Sequence, residues 1–558
     1  MSLLAVYQHW REQVRDPELS AELSAIAGDE SEIEDRFYRD LEFGTGGLRG
    51  VLGAGTNRMN IYTVAKATQG YSNYIRKSAQ DPSVAIAYDS RIHSDLFART
   101  AAAVFAANGV RVHVYPRLMP TPALSFAVRD LRCSGGGVIT ASHNPAKYNG
   151  YKVYGPDGCQ ITTQMAKAIQ GEIDRVDPFE DVRWADFEEQ LARGTISYIG
   201  EDTVSRYLRA VGTASVVLPG VPRNAAIIYT PLNGTGISCV PRCLEEHGFT
   251  NITIPDEQRN PDGNFPTCPY PNPEVREALT VGLDWAERTG SDLLLATDPD
   301  CDRVGVAAKT DEGYRLISGN EMGVLLLDFI CNMRRKNGTM PQKPVAVKTI
   351  VTTPMAAKVA EHYGVELIDV LTGFKFIGEQ VGLLERKGEE ARYIFGFEES
   401  YGYLSGSFVR DKDAVNASLL ICEMFAYYKA QGQSLVDVLH ELYQTYGYYE
   451  SRLLSFNFEG SSGFARMQGL MDGLRNVPHG EIAGFPVENR VDYLTEETSL
   501  PKSNVLRYFL AGGLEATVRP SGTEPKLKVY LTAVGKDWEE SREIADQLSR
   551  YFGKWARS

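Results

Sequence analysis

Long apolar runs and an excess of basic residues are both missing from this chain of 558 residues. The longest apolar candidate begins at Val324 and is interrupted by Asp328, so the sequence predicts no membrane-spanning segment. Acidic residues outnumber basic ones by 72 to 58, giving a net charge of -14. That balance argues against a broad nucleic-acid or acidic-membrane surface, while small anions could still be held by local arginines and lysines. We therefore expect no nucleic-acid and no membrane partner.

Cysteine is sparse and scattered. The eight cysteines form no pair of C-x-x-C motifs, which argues against a structural zinc site. The N-terminal residues lack the basic start and continuous apolar core of a signal peptide. Reduced thiols in a long chain favour a cytoplasmic protein. The length predicts three to five domains.

A strand, a helix ending at glycine, and a second strand follow one another three times. The strand pairs are 83–89 with 110–115, 225–229 with 252–254, and 345–347 with 365–368. This repeat predicts three βαβ units with parallel sheets. Residues 3–38 are predicted to form an amphipathic helix ahead of them. After about residue 445 the pattern changes, and strands at 514–518 and 526–531 indicate a separate α+β domain.

Each unit is followed by a further strand that ends in a polar loop. These loops are the serine loop (140–149), the metal loop (297–303) and the sugar loop (396–400). Ligands of open α/β sheets bind beyond the carboxyl ends of strands. Three similar units that present three polar loops therefore predict one shared cleft.

The metal loop carries Asp298, Asp300 and Asp302 at alternating positions. Three carboxylates on one loop can converge on a hard cation, either Mg²⁺ or Ca²⁺. An EF-hand is excluded, because its glycine position holds Arg303 and its last ligand position holds Lys309. The small number of protein ligands favours a Mg²⁺ ion that also contacts phosphate.

The other loops are ambiguous when taken singly. Ser142 beside His143 could be a nucleophile or a carrier of a transferred group, but neighbouring residues on a loop rarely form a dyad. The glycine-rich segment around Arg49 suits phosphate binding but could be a set of turns. The phosphate loop (519–525) offers a guanidinium, hydroxyls and exposed backbone N–H groups, though a hairpin turn has the same composition. Together these loops favour phosphoryl transfer on a phosphorylated sugar or polyol.

Four segments resemble the signature loops of the α-D-phosphohexomutases. They are Thr140-Ala-Ser-His-Asn-Pro145, Asp298-Pro-Asp-Cys-Asp-Arg303, Gly396-Phe-Glu-Glu-Ser400 and Arg519-Pro-Ser-Gly-Thr523, in the order of the family. The resemblance implies an α/β fold with three similar α/β domains, mixed or parallel sheets, and a C-terminal α+β domain around a central cleft. We place the domains at 1–205, 206–318, 319–443 and 444–558.

The same resemblance implies roles for individual residues. Ser142 would be phosphorylated and, with Asp298, Asp300 and Asp302, would hold Mg²⁺. The further active-site candidates are Arg49, His143, Lys152 and Lys412. The substrate-binding candidates are Arg303, Lys348, Thr372, Gly373, Lys375, Glu398, Ser400, Arg519, Ser521, Gly522 and Thr523.

The implied reaction converts glucose 1-phosphate to glucose 6-phosphate through a phosphoserine enzyme and glucose 1,6-bisphosphate. The Glu398-Glu399-Ser400 run resembles glucose-handling members, while the segment from Glu42 to Asn60 resembles a subgroup that also contains phosphopentomutases. Pentose or mannose phosphates therefore stay open as substrates. A serine phosphohydrolase and an inactive sugar-phosphate-binding protein are the alternatives from other classes. We expect small sugar phosphates as partners and a monomer or small homo-oligomer.

Overall fold

The computed structural model describes residues 2–44, 46–458, 460–476, 480–521 and 526–557. It begins with α1 (Leu3–Gln13), α2 (Pro17–Ala25) and α3 (Glu30–Phe37). The predicted single helix over 3–38 is therefore wrong. Asp16 and Asp29 each cap a new helix by accepting a backbone N–H, and Pro17 starts α2 where its missing N–H costs nothing.

The first α/β unit contains a mixed sheet in the order β1-β5-β4-β2-β3-β6. Its elements are β1 (Gly47–Val51), α4 (Ile61–Ser78), β2 (Ser83–Tyr88), α5 (Ser94–Ala107), β3 (Arg111–Val114), α6 (Thr121–Asp130), β4 (Gly135–Ile139), β5 (Tyr148–Tyr154), α7 (Thr163–Ile173), α8 (Phe187–Arg193), β6 (Ile196–Tyr198) and α9 (Glu201–Gly212). Strands β4, β2, β3 and β6 are parallel, whereas β5 is antiparallel to both of its neighbours.

The second unit has the strand order β11-β10-β9-β7-β8. It comprises β7 (Ile227–Thr230), α10 (Val240–Glu246), β8 (Ile252–Thr253), α11 (Asp256–Arg259), α12 (Thr280–Thr289), β9 (Leu293–Thr297), β10 (Val304–Thr310) and β11 (Gly313–Ile317). Short 3-10 turns cover 235–238 and 276–279.

The third unit has the order β13-β12-β14-β15. It comprises α13 (Gly319–Lys336), β12 (Val345–Thr349), α14 (Met355–Tyr363), β13 (Glu366–Val370), α15 (Phe374–Arg386), a 3-10 turn at 390–392, β14 (Tyr393–Glu398), β15 (Gly402–Leu404), α16 (Ala414–Lys429) and α17 (Leu435–Tyr446). The predicted domain limits at 205 and 443 fall inside α9 and α17, whereas the limit at 318 directly precedes α13.

The three units present their polar loops in the same way. In each, a parallel strand ends in the loop and the chain returns along an antiparallel neighbour: β4 to β5, β9 to β10, and β14 to β15. The predicted βαβ repeats are confirmed, but each sheet also carries this antiparallel edge. Each loop is therefore held at both ends by paired strands.

The C-terminal unit is an antiparallel sheet in the order β16-β21-β20-β19-β18-β17. Its elements are β16 (Tyr448–Asn457), α18 (Gly460–Asn476), β17 (Glu481–Ile482), β18 (Phe485–Asp492), β19 (Leu506–Leu510), β20 (Leu514–Pro520), β21 (Lys526–Gly535) and α19 (Trp538–Trp555). Leu548 and Phe552 of α19 pack on the sheet core beside Leu531. The α+β character predicted for this part of the chain is confirmed.

One apolar core joins the first three units. Helix α16 is buried from Ala414 to Tyr428, because it packs among the sheets rather than on the surface. At its start, Asp413 accepts a hydrogen bond from Tyr207 of α9 at 2.9 Å. Within the described ranges, no helix is both long enough and apolar enough to cross a bilayer.

Candidate active site

Ser142 stands on the turn that follows β4. Its backbone is left-handed, with φ of 52°, and its side chain is almost buried, with 4% of the residue exposed. The Ser142 hydroxyl donates to Asp298 Oδ2 at 2.8 Å, and its oxygen lies 3.1 Å from His143 Nδ1. Thr140 Oγ1 accepts the Ser142 N–H at 2.8 Å. The serine loop of one unit therefore meets the metal loop of the next.

The three aspartates of the metal loop converge. Asp298, Asp300 and Asp302 are buried, and each offers a carboxylate oxygen within 4.8 Å of those of the other two. Asp300 Oδ1 and Asp302 Oδ1 accept no hydrogen bond from the described residues. Burial and then the neighbouring carboxylates raise the pKa of Asp298 well above its usual value. Buried, unpaired and mutually repelling oxygens of this kind fit a divalent cation.

Two lysines approach the same carboxylates. Lys152 Nζ of β5 lies 2.7 Å from Asp300 Oδ2 and 3.0 Å from Asp302 Oδ2, and Lys412 Nζ lies 3.1 Å from Asp302 Oδ2. Burial disfavours both ammonium groups, but the carboxylates outweigh it and raise the pKa of Lys152 and of Lys412. Despite its burial, Asp302 has a lowered pKa because of these cations. Both lysines therefore stay charged at neutral pH.

His143 and Arg49 face the cleft beside the serine. Burial, followed by the charges of Arg303 and Arg49, lowers the pKa of His143 well below its usual value. The imidazole is consequently neutral at physiological pH. Arg49 belongs to β1 and pairs with Gly150 of β5. The predicted glycine-rich loop is thus partly an edge strand that carries Arg49 to the cleft.

The sugar loop ends β14 and presents Glu398. Its carboxylate accepts the Gly373 N–H at 2.9 Å, and burial raises the pKa of Glu398 to about 7. Glu399 also lines the cleft, and its Oε2 accepts hydrogen bonds from the Thr349 and Thr352 hydroxyls at 3.3 Å. Of the two adjacent acids, only Glu398 combines a buried position with a contact to the 372–375 segment.

The phosphate loop is anchored to the third unit. Arg519 of β20 donates to the Thr372 hydroxyl, and Ser521 N donates to Lys526 O at 2.7 Å. Gly522 and Thr523 lie outside the described residues. The side chain of Lys375, which faces the same space, has its pKa lowered to about 8 by burial.

A cleft of about 820 Å³ runs between these loops. That volume suits a sugar bisphosphate, since ligand pockets commonly have several hundred cubic ångströms. Of the predicted site residues, the following line it: Arg49, Ser142, His143, Lys152, Asp302, Arg303, Thr372, Gly373, Lys375, Glu398, Ser400, Lys412, Arg519 and Ser521. Asp298 and Asp300 lie behind this surface.

The structure does not bring Lys348 to the cleft. Its Nζ pairs with Asp369 Oδ1 at 2.9 Å, and Asp369 also pairs with Arg507 of the C-terminal unit at 3.3 Å. Burial lowers the pKa of Lys348. Lys348 therefore takes part in a contact between the third and fourth units, whereas its predicted role was substrate binding.

Sequence reasoning missed Glu274. Its carboxylate lies 2.6 Å from Arg303 NH1 and lines the cleft together with Tyr270 and Asn272. The only local signal was the proline-rich segment 271–273, which marks a rigid turn but no chemistry. Glu274 fixes the direction of the Arg303 guanidinium.

Sequence comparisons agree with this geometry. Models of phosphoglucomutase/phosphomannomutase α/β/α domains I, II and III match residues 40–179, 205–313 and 318–446. A phosphoglucomutase from Staphylococcus saprophyticus is 35% identical over 93% of this chain and 94% of its own length. One from Staphylococcus aureus strain USA300 is 36% identical over 90% and 92%.

Solved structures share the fold. A phosphoglucomutase/phosphomannomutase family protein from Burkholderia thailandensis superposes with a TM-score of 0.68 at 20% identity, covering 92% of this chain and 97% of its own. Parafusin, a phosphoglucomutase from Paramecium in an open form, gives 0.67 at 17% identity, covering 93% and 96%. The sequence matches, the shared fold and the four converging loops establish that the chain belongs to the phosphoglucomutase/phosphomannomutase family of the α-D-phosphohexomutase superfamily.

Proposed function

We propose that this protein interconverts glucose 1-phosphate and glucose 6-phosphate in a Mg²⁺-dependent reaction carried by phosphorylated Ser142. The observation that carries the proposal is the 2.8 Å contact between Ser142 Oγ and Asp298 Oδ2 in a cleft that Glu398 and Arg519 also line. The name of the staphylococcal relatives, phosphoglucomutase, supports the same reaction. The phosphoryl-transfer site at Ser142, the sugar-binding site at Glu398 and the phosphate-binding site at Arg519 would then belong to one cavity.

The reaction would consist of two phosphoryl transfers. In the first, the bond between phosphorus and Ser142 Oγ breaks while a bond forms to the free hydroxyl of the sugar phosphate, whose proton passes to the released Ser142 Oγ. The product is glucose 1,6-bisphosphate. It turns over in the cleft, its other phosphate is transferred to Ser142 Oγ, and the Ser142 hydroxyl proton passes to the released sugar oxygen.

The chain's own residues would orient these transfers. Asp298, Asp300 and Asp302 would hold Mg²⁺, which when bound would neutralise charge on the transferred phosphate. Arg519 and Ser521, with Gly522 and Thr523, would bind the phosphate that is not transferred. Glu398 and Ser400 would accept hydrogen bonds from sugar hydroxyls, and Arg303 would be aimed by Glu274.

Each phosphoryl transfer needs a group that accepts a proton. Lys152 and Lys412, which pair with Asp300 and Asp302, would place positive charge beside the phosphate. His143 has a lowered pKa and lies 3.1 Å from Ser142 Oγ, so its neutral ring can accept the Ser142 hydroxyl proton when the phosphate returns to that oxygen. Arg49 would add positive charge beside it.

The first of two experiments tests the substrate. Turnover of glucose 1-phosphate, ribose 1-phosphate and mannose 1-phosphate is compared by kcat/KM, and we expect glucose 1-phosphate to be preferred. A preference for ribose 1-phosphate or mannose 1-phosphate would show instead that the protein is a phosphopentomutase or a phosphomannomutase. Free phosphate released without an isomerised product would instead indicate a phosphohydrolase.

Ser142 itself is tested by mass spectrometry. We expect one phosphate on Ser142 that disappears on incubation with sugar phosphate, and no turnover by S142A. S549A, which removes a hydroxyl on α19 that donates to Ala545 O, is the matched control and should keep both properties. Full turnover by S142A would exclude the carrier role, and an unphosphorylated, inactive wild type would indicate a binding protein.

Four further expectations remain proposals. The cytoplasm is supported by eight free cysteines that are all buried. Glucose 1,6-bisphosphate is proposed as both intermediate and activator. We also propose domain limits near residues 205, 318 and 443. The protein is proposed to be a monomer or a small homo-oligomer.

A further inference from the structure

Arg91 lies directly beneath the serine loop. Its side chain has no exposed surface. Its NH1 donates to the carbonyl oxygens of Pro145 and Tyr148, both at 3.0 Å. Its NH2 donates to the carbonyl oxygen of Ser142 at 2.5 Å and to that of Asn144. One guanidinium therefore binds four backbone carbonyls within seven residues of chain.

The loop needs such support. Ser142 has a left-handed backbone, with φ of 52°, which is strained for a residue other than glycine. Such a conformation persists only where surrounding contacts over-determine it. Without the Arg91 contact, the carbonyl of Ser142 would be free to rotate, and the hydroxyl would move away from Asp298.

We propose that Arg91 is a positioning residue for phosphoryl transfer: it locks the serine loop so that Ser142 Oγ points at the metal loop. This inference rests on the proposed function. Arg91 does not line the cleft and touches no reacting atom, so it acts through the backbone of the serine loop. Ground-state binding of the sugar phosphate does not depend on it.

Arg91 is itself fixed from two sides. Asp89 Oδ1 accepts the Arg91 N–H at 2.9 Å and the Ser94 hydroxyl at 2.7 Å, while Asp89 Oδ2 lies 3.4 Å from the Arg91 Nε. From the second unit, the Phe265 ring lies 5.1 Å from the guanidinium carbon. A methyl group at Gly263 would meet Ile92 N at 2.5 Å, so the second unit closes directly over this residue.

A lysine cannot replace this arrangement. The guanidinium is planar and directs its N–H groups in a fixed fork, whereas an ammonium is a compact charge with donors at one point. An ammonium at the end of the lysine chain could reach one or two of the four carbonyls. R91K thus keeps the charge but loses the geometry, and R91A loses both.

The test compares R91K and R91A with wild type and with R475K. Arg475 pairs with Asp492 in the C-terminal unit and controls for the loss of a partly buried arginine. Each protein is assayed for kcat and KM with glucose 1-phosphate, for the rate at which glucose 1,6-bisphosphate phosphorylates Ser142, and for melting temperature. R91A is also assayed with methylguanidinium and, separately, with methylammonium.

We expect kcat of both variants, and the phosphorylation rate of Ser142, to fall by roughly 100-fold, since displacement of a reacting group by about 1 Å costs this much. KM should stay near the wild-type value, and methylguanidinium but not methylammonium should restore part of the activity of R91A. A wild-type kcat in R91K, or equal restoration of R91A activity by methylguanidinium and methylammonium, would overturn the role of Arg91 and leave the proposed function standing. A wild type that isomerises no sugar phosphate would overturn the proposed function and this inference together.

Discussion

The ionisation of Glu398 should govern how the reaction responds to pH. The residue is 6% exposed, and burial raises the pKa of Glu398 to about 7, with the nearby Glu399 carboxylate acting in the same direction and Lys412 and Arg303 opposing it. Two sugar hydroxyls can donate to an ionised carboxylate, whereas a protonated carboxyl offers one fewer acceptor site. Substrate capture therefore requires the ionised form.

The expected change of kcat/KM with pH follows from the pKa of Glu398. About half of Glu398 is ionised at pH 7 and only about a tenth at pH 6, so kcat/KM at pH 6 should be about a tenth of its plateau at high pH and about a fifth of its value at pH 7. E398Q should lower kcat/KM at pH 8 and abolish this dependence near pH 7. The assay is initial-rate kinetics with glucose 1-phosphate across pH 5.5–8.5 at saturating Mg²⁺.

Stability should respond in the opposite direction. The folded pKa of about 7 exceeds the ordinary value of 4.5, so the folded protein holds a proton that the unfolded chain releases between these limits. Stability therefore falls as pH rises from about 4.5 to 7, by roughly 3 kcal/mol at most, and levels off above pH 7. E398Q should melt above wild type at pH 8 and approach it at pH 5.

Both trends can be contradicted. E543Q changes an exposed glutamate on α19 and should leave the rate profile and the melting temperature as in wild type. A kcat/KM profile that is flat through pH 7, or one that E398Q retains unchanged, would show that another group controls the reaction. Equal melting temperatures of E398Q and wild type at pH 8 would contradict the claim that burial raises the pKa of Glu398.

Two further substitutions test the surroundings of the site. Burial raises the pKa of Asp413 from 3.8 to about 7, so wild type should lose up to about 4 kcal/mol of stability as pH rises from about 4 to 7, and D413N should lack this loss. Thermal melting at pH 8 and pH 5 checks this, and a pH-independent effect would refute it. The Thr121 hydroxyl donates to Asp300 Oδ2 at 2.9 Å, so T121V should weaken Mg²⁺ binding by roughly 10–100-fold, measured by calorimetry. T121S is the control, and equal affinities of T121V and T121S would contradict the orienting role.

The polar loops could be predicted because each lies at the end of an apolar strand. The alternation of strand and helix predicts parallel sheets, and the carboxyl ends of parallel strands meet on one edge. That rule predicts that the loops of Ser142, Asp298 and Glu398 meet in one cleft, although about a hundred residues or more separate them, while the roles of the three residues came from the family resemblance. The antiparallel return strands were not predicted, since short apolar segments carry no sign of their direction.

Contacts made across long stretches of chain could not be predicted. Lys348 sits in a strand-end segment like the true cleft residues, but its partner Asp369 and the more distant Arg507 hold it below the cleft. Arg91 reads as an ordinary polar residue after a strand, because the four carbonyls that it binds lie over fifty residues away. Glu274 likewise gains meaning only from Arg303. Side-chain direction in such cases is decided by tertiary packing.

The charges around Ser142 explain why cation and phosphate belong together. Asp298, Asp300 and Asp302 bring negative charge into a buried place, and Lys152 and Lys412 offset part of it. A phosphate on Ser142 would add a charge of about -1.5 to -2, beside a carboxylate oxygen that already lies 2.8 Å from the serine hydroxyl. In such a buried site this repulsion is poorly screened, whereas a divalent cation between the two anions reverses it. The phosphate and the cation should therefore each strengthen binding of the other, because coupling between two sites is reciprocal.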